Sequence, residues 1–309
     1  MRTAKFQKRI REAIMSDYVI SGCSSADLSL ERFKARDIKV VYFHFELGGV
    51  EYPDDCGVTI TPERLFKDML AGASTKTSQI AVGEYIEHFE KELREGRDVL
   101  HLTLSSGISG TYGSACLARD ELAAKYPDRK IYVVDSLAAS SGYGLILDTL
   151  ADMRDEGKSI DELYSWIEEN KLKLNHWFFS TDLTFFIRGG RVSKTAGTFG
   201  KILNICPLLN VDNMGRLIPR EKIRTKPKVI RRSYEKMTEF ADKSKDYDGK
   251  CFISHSACYE DARALADLIE ADFPKLNGKV EIFPIGATIG SHTGPGTVAL
   301  FFWGKERVD

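Results

Sequence analysis

The chain has 309 residues, 43% of them apolar and 29% charged, a globular composition long enough for two ordinary domains. Its 44 basic and 45 acidic side chains are mixed along the chain, so no global field draws it to nucleic acid. No run of about 18 apolar residues exists to suggest a transmembrane helix or stable membrane insertion, and the six cysteines form no CxxC pair or zinc spacing, so reduced thiols in the cytoplasm and no metal are expected.

The first stretch, residues 1–18, is basic without an apolar h-region and reads as a short basic amphipathic helix rather than a secretory signal. YVIS at 18–21 and IKVVYFHFE from Ile38 read as two strands. Thr61-Pro62-Glu63 opens a helix, with Thr as N-cap, Pro at the first helical position and Glu in the first turn. Val82, Tyr85, Ile86, Phe89 and Leu93 recur at helical spacing and predict an amphipathic helix ending near Gly96. VLHLTL at 99–104 is a buried strand, and a Ser/Gly loop leads from it into a helix over about 111–125. IYVVD at 131–135 is the next strand, and a helix follows Gly144. This βαβα order predicts a parallel sheet covered on both faces.

A charged helical region around 155–175 is the expected domain boundary. Beyond it, HWFFST at 176–181 opens the second half, and Asp212-Asn213-Met214-Gly215 predicts a hairpin turn. A basic helix, the strand CFISHS, a helix carrying Ala262, Leu265, Ile269 and Phe273, and the strands VEIFPIG and VALFFWG complete the chain.

Four loops carry candidate chemistry. Ser105-Ser106-Gly107-Ile108-Ser109-Gly110-Thr111-Tyr112 sits at the carboxyl end of a predicted parallel strand and opens a helix. There, free N–H groups and hydroxyls can cradle an anion, or the hydroxyls can satisfy only backbone. The loop lacks the GxSxG pattern of a nucleophile elbow, and Gly200-Lys201-Ile202, with Thr195 in place of the first glycine, fails as a phosphate-binding loop. Thr75-Lys76-Thr77-Ser78-Gln79 reads as a helix N-cap or a second hydroxyl site, and Asp135-Ser136 with Ser140, Gly142 and Gly144 as a site or close backbone packing. The basic turn Arg188-Gly189-Gly190-Arg191 and the extended run Lys222, Arg224, Lys226, Lys228 read as solvated faces unless a ligand claims them. Ser291-His292-Thr293-Gly294-Pro295-Gly296 holds one histidine in a glycine-flanked loop, structural or functional.

Taken in order, TSQ at Thr77, SSGxSGTY at Ser105, DSxxxSxGxG at Asp135, GGRVS at Gly189, PLL at Pro207, Lys222-Ile223-Arg224 and SHTGPG at Ser291 resemble the DegV family of bacterial fatty-acid-binding proteins. The resemblance runs from about Tyr18 to Gly304. It implies an α/β fold of two α/β domains, 16–165 with a mostly parallel sheet and 166–309 of mixed α+β type, with a lipid tunnel between them. It further implies a long-chain fatty acid as ligand and no cofactor. The ligand's carboxylate would meet Thr77 and Ser109, with the Gly110 amide and the Ser106 hydroxyl nearby and Arg224 and His292 near the carboxyl end. The expected role is a non-catalytic carrier that presents the carboxylate to a fatty acid kinase, with phosphoryl chemistry supplied by that partner. The apolar residues Ile202, Leu203, Ile205, Leu208 and Leu209 either line the tail tunnel or pack an ordinary core. The chain departs from the family in having Ser21-Gly22-Cys23 where the first strand commonly ends Thr-Asp-Ser, so Gly22 replaces Asp, and Ile80 where proline usually follows TSQ. A lipid-binding protein without a kinase partner, or an acyl-phosphate hydrolase or transferase using Ser109 or His292, remains the alternative.

Overall fold

The computed structural model describes residues 17–193 and 205–307. The expected N-terminal helix, the Gly200-Lys201 segment, Ile202 and Leu203 lie outside the described residues. The first half contributes β1 (Tyr18–Cys23), β2 (Ile38–Val41), β3 (His44–Leu47), β4 (Val50–Pro53), β5 (Thr75–Ser78), β6 (Asp98–Thr103) and β7 (Ile131–Asp135). The second contributes β8 (Leu174–Ser180), β9 (Ile205–Val211), β10 (Leu217–Arg224), β11 (Cys251–His255), β12 (Glu281–Pro284) and β13 (Thr297–Trp303).

As the alternating elements predict, β2-β1-β6-β7 form a parallel sheet. Every residue of β1 is buried, the mark of a strand covered on both faces. Thr61 caps the helix Pro62–Leu70 by accepting from the Arg64 N–H at 3.3 Å. The helices Val82–Arg94 and Thr111–Lys125 fall where expected. The last helix of the group begins earlier than expected, spanning Ser140–Asp155, so Gly142 and Gly144 lie inside it. Close packing explains both glycines. A Cβ on Gly142 would lie 2.5 Å from the Phe301 ring, and one on Gly144 2.6 Å from the Ala26 carbonyl.

The run from Ile38 is not one strand. The Ser24 hydroxyl accepts the Phe43 N–H at 3.0 Å and the Phe43 carbonyl accepts the Asp54 N–H at 2.8 Å, which takes the chain out of the parallel ladder. Gly48 and Gly49, at φ 59° and 88°, then turn it into a two-residue hairpin. The result is a small antiparallel sheet, β4-β3-β5. Its third strand is the Thr75–Ser78 hydroxyl cluster, so that segment is no helix cap. The cap position of the following helix is Ala81, whose N–H is held by Glu84 at 2.8 Å.

The second half is a six-stranded mixed sheet, β10-β9-β8-β13-β11-β12. The expected turn at Asp212–Gly215 joins β9 to β10, with Gly215 at φ 70°. The basic run is extended only as far as Arg224, because Lys226 and Lys228 belong to the helix Lys226–Phe240. The apolar doublets in these strands have a simple cause. Phe179, Leu208, Ile253, Leu300 and Phe302 pack under the helices Lys226–Phe240 and Tyr259–Asp272, together with Val229, Met237, Leu265 and Ile269. Their neighbours Phe178, Leu209, Phe252, Ala299 and Phe301 face the other way, into one core with Leu102, Val134, Tyr143 and Leu147 of the first half. Successive strand residues point to opposite faces, so both faces of this sheet are buried. Leu208 and Leu209 are therefore core on either face. The helix Ile160–Asn170 spans the expected boundary and buries Ile160, Leu163 and Ile167 in the core shared by both halves.

Polar ties fix the seam. Arg32 pairs with Asp148 at 2.9 Å and with Glu281 at 3.2 Å, and Lys250 reaches the same buried Asp148. Arg307, buried near the end of the chain, donates to the carbonyls of Leu137 at 2.7 Å, Asp212 at 3.2 Å and Leu174 at 2.7 Å.

Within the first core, the Tyr143 hydroxyl accepts the Cys23 N–H and donates to the Leu102 carbonyl, each at 2.6 Å. Tyr143→Phe removes both of these buried hydrogen bonds, leaving the Leu102 carbonyl only the weak Cys23 thiol, and should cost about 1–3 kcal/mol. Urea unfolding should show a lower midpoint at an unchanged slope.

Candidate functional site

A cavity of about 210 Å³ opens where the inner face of the six-stranded sheet meets the first half. From the sheet come His176, Phe178, Val211, Leu217, Thr297, Ala299 and Phe301, all on the same face by strand alternation. From the first half come Phe43, Leu104, Ile108 and Ala139. The helix Ala287–Thr293 adds Thr288, Ile289, His292 and Thr293. Most of this lining is apolar. The polar groups of one end are Thr77, Gln79, Ser109, Gly110, Arg191 and His292.

Each polar group has a local reason to be there. Alternation along β5 turns Thr75 and Thr77 toward the helix Ala287–Thr293, while Lys76 and Ser78 are exposed. Thr75 donates to the Ser291 carbonyl at 3.3 Å, and the Thr77 hydroxyl meets His292 Nε2 at 2.8 Å. The Ser/Gly loop divides its labour. Ser105 donates to the Gly215 carbonyl at 2.8 Å, and a Cβ on Gly107 would strike the Met214 carbonyl at 2.5 Å, so this half of the loop packs against the β9–β10 turn. Ile108, Ser109 and Gly110 form the other half and line the cavity. The Ser109 hydroxyl accepts the Thr111 N–H at 3.3 Å at the start of the helix. A Cβ on Gly110 would sit 2.3 Å from Gln79 Oε1, so the glycine lets the Gln79 side chain lie directly against this loop.

Four of the six expected site residues, Thr77, Ser109, Gly110 and His292, come together here. Ser106 and Arg224 do not. Ser106 is turned to solvent, its N–H donating to Asp135 at 3.1 Å, because its neighbours Ser105 and Gly107 are committed to the hairpin. Arg224 ends the edge strand β10, paired with Ile205, and is exposed outside the cavity lining.

The charge at this end comes instead from Arg191, half-buried in the turn read above as a solvated face. Its Nε donates to the Ile108 carbonyl at 3.1 Å and its Nη1 to the Gly189 carbonyl at 2.6 Å. Burial lowers its pKa from the ordinary arginine value, yet at neutral pH it stays a cation. No acidic residue is found among the described residues of the lining. Only the GGRVS motif hinted at Arg191; Gln79, likewise missed, belonged to TSQ, and His176 carried no signal.

His292 lies in the last turn of the helix Ala287–Thr293, not in a loop. Burial, reinforced by the Arg191 charge, pushes its pKa down to about 4, so the ring is neutral at pH 7. Its Nδ1 is buried without a hydrogen-bond partner and presses on Gly189, where a Cβ would come within 2.3 Å. An unpaired buried N–H costs more than an unpaired lone pair. The favoured tautomer therefore carries its proton on Nε2 and donates to Thr77, which frees the threonine hydroxyl to donate into the cavity. Ser109 and His292 thus have separate partners, and the nucleophile–base contact of a serine hydrolase is not formed. Among the described residues there is no cluster fit to hold a metal ion. Gly22, at the position expected to carry Asp, has no room for a side chain, since a Cβ would lie 2.6 Å from both the Tyr143 hydroxyl and Leu147.

The chain as a whole is similar to known proteins. The family model described as "Uncharacterised protein, DegV family" matches residues 20–305. A DegV domain-containing protein of Clostridium perfringens is 38% identical over 293 residues, covering 95% of this chain and 99% of that protein. Two solved structures share the fold: a DegV lipid-binding protein of Thermotoga maritima, 28% identical with a TM-score of 0.77 over 95% of this chain and 100% of that one, and a fatty-acid-binding DegV family protein of Thermus thermophilus, 26% identical with a TM-score of 0.80 over 93% and 99%.

The neutral histidine has a pH consequence. The folded His292 pKa of about 4 lies below the unfolded value near 6.5, so the unfolded chain binds the extra proton first. The stability it contributes is complete above about pH 6.5 and is lost as pH falls toward about 4. His292→Gln should therefore lose less stability than the parent between pH 7 and pH 5, measured by urea unfolding at both.

Proposed function

The chain belongs to the DegV family, and from that premise we propose that it is a carrier which buries the tail of a long-chain fatty acid in this cavity and presents the carboxylate to a fatty acid kinase. The observation that carries the reading is an apolar cavity whose one polar end holds a cation, Arg191, with no acidic lining residue beside it among those described. A fatty acid has that shape and charge.

The tail supplies the affinity. Each buried methylene is worth roughly 0.8 kcal/mol, so about fourteen of them contribute on the order of 11 kcal/mol before association and ordering costs. The inner face of the sheet, with Phe178, Ala299 and Phe301, would be the wall they cover. The head group is held by donors: the freed Thr77 hydroxyl, the Ser109 hydroxyl, the Gly110 amide and the Arg191 guanidinium. Hydrogen bonds to a charged acceptor are worth roughly 1.5–3 kcal/mol each. His292 acts through Thr77, fixing the direction of its hydroxyl.

Gly110 is exposed and Ser109 half-buried, so the head group would stand at the rim, within reach of a second protein. Positioning and water exclusion are then the carrier's contribution, and the partner brings the phosphoryl group. Nothing in this scheme asks the chain for a nucleophile.

Mass spectrometry of lipid extracted from purified protein should recover about one fatty acid per chain, an occupancy expected if the tail supplies affinity of this order. No acid after loading would overturn the carrier reading. Thr77→Val and Ser109→Ala should each weaken binding by about tenfold, and Arg191→Met by more, with the fold intact. A loaded protein whose acid no fatty acid kinase phosphorylates would remove the kinase part and leave the carrier.

A further inference from the structure

Two carboxylates that take no part in the cavity hold the segment carrying His292. Asp27 follows β1 and Asp54 follows β4, and both are buried, at 5% and 2% exposed. Asp27 Oδ1 accepts the Gly286 N–H at 3.0 Å, and Asp54 Oδ2 accepts the Thr288 N–H at 3.0 Å. Each contact joins the first half of the chain to the second. The two groups converge on one point: a Cβ on Gly286 would lie 2.8 Å from Asp27 Oδ1 and 3.6 Å from Asp54 Oδ1. Asp27 is fixed in turn by Ser140, whose hydroxyl donates to its other oxygen at 2.5 Å and meets the Ser254 hydroxyl at 3.0 Å. Its backbone holds a left-handed φ of 48°, sparsely populated by non-glycine residues.

From this geometry we infer that Asp27 and Asp54 are positioning residues for His292: they grip the backbone at Gly286 and Thr288 and so set where His292 meets Thr77. The helix from Ala287 to Thr293 is a single rigid piece of seven residues, about 10 Å long. One end is held by the two carboxylates and the other by the bond from His292 to Thr77. Both anchors come from the first half, and the piece itself belongs to the second. A shift at the carboxylate end is carried along the helix to the ring. Burial raises the pKa of both acids from the ordinary carboxylate value, that of Asp27 well above it, and a neutral carboxyl still offers an oxygen as an acceptor, Oδ1 in Asp27 and Oδ2 in Asp54. The grip therefore does not depend on full charge.

The functional half of this inference rests on the reading of the cavity as a fatty-acid site. The positional half does not, and it is tested without ligand. In protein labelled with ¹⁵N-histidine and free of added lipid, the His292 ring signals, assigned by their loss in His292→Gln, should move in Asp54→Ala and in Gly286→Ala. Gly286→Ala adds one methyl and keeps both acids, so it serves where an Asp27 or Asp54 variant fails to fold. Leu265→Ala lowers stability from the far core and should leave those signals in place. With fatty acid added, Asp54→Ala and Gly286→Ala should weaken binding by about tenfold, the equivalent of one lost hydrogen bond to a charged group. Unmoved His292 signals in folded Asp54→Ala and Gly286→Ala would overturn the inference. Movement equal to that in Leu265→Ala would also overturn it, reducing the effect to general loosening. Moved signals in a protein that binds no fatty acid would sink the functional reading alone.

Discussion

The six-stranded sheet has no face to give to water, and the rest of the molecule follows from that. Phe178 and Phe179, Ala299 and Leu300, Phe301 and Phe302 point alternately up and down, and every one is buried. Two helices of the second half cover one face. The other face is covered by the first half together with the helix Ala287–Thr293, and the fit is incomplete: around Ala139 and Ala299 the surfaces separate and leave a cavity. An unfilled apolar cavity forfeits dispersion contacts on every wall, so a matching apolar guest stabilises the fold as it binds. The site is thus a consequence of how the two halves meet rather than a pocket added to a finished domain.

The polar end answers a different constraint. A cation near low-dielectric walls is costly unless hydrogen-bonded, and Arg191 meets this with two backbone carbonyls rather than a carboxylate. That leaves its charge uncancelled toward the cavity. The neighbouring imidazole is kept neutral by burial and by that same charge. One cation and several neutral donors can hold an anion without enclosing it in a full counter-charge.

Much of this was legible in the sequence, and the boundary of legibility is physical. Local signals held. Thr61-Pro62-Glu63 opened its helix, Asp212–Gly215 made its turn, and the apolar periodicity of Val82–Leu93 gave an amphipathic helix. The failures were long-range. Nothing local tells that Ile38–Val41 and His44–Leu47 enter different sheets, because the break comes from Ser24 and Asp54. Thr75–Ser78 resembles a helix cap until its partner, some thirty residues earlier, is known. Arg191 and Arg224 are alike as letters. Only the burial of one and the exposed strand end of the other separate them. The apolar doublets could be assigned to core or tunnel only once the two faces of the sheet were told apart.

The shared core has a consequence for time rather than for affinity. A guest lying between the halves can leave along its own axis past the polar rim, or by parting a seam held by Arg32, Asp148, Lys250 and Arg307. The second route exposes Phe178, Phe301 and their partners to water and so resembles partial unfolding. Escape sideways would therefore be slow, and the dwell of such a guest would be governed by traffic at the mouth.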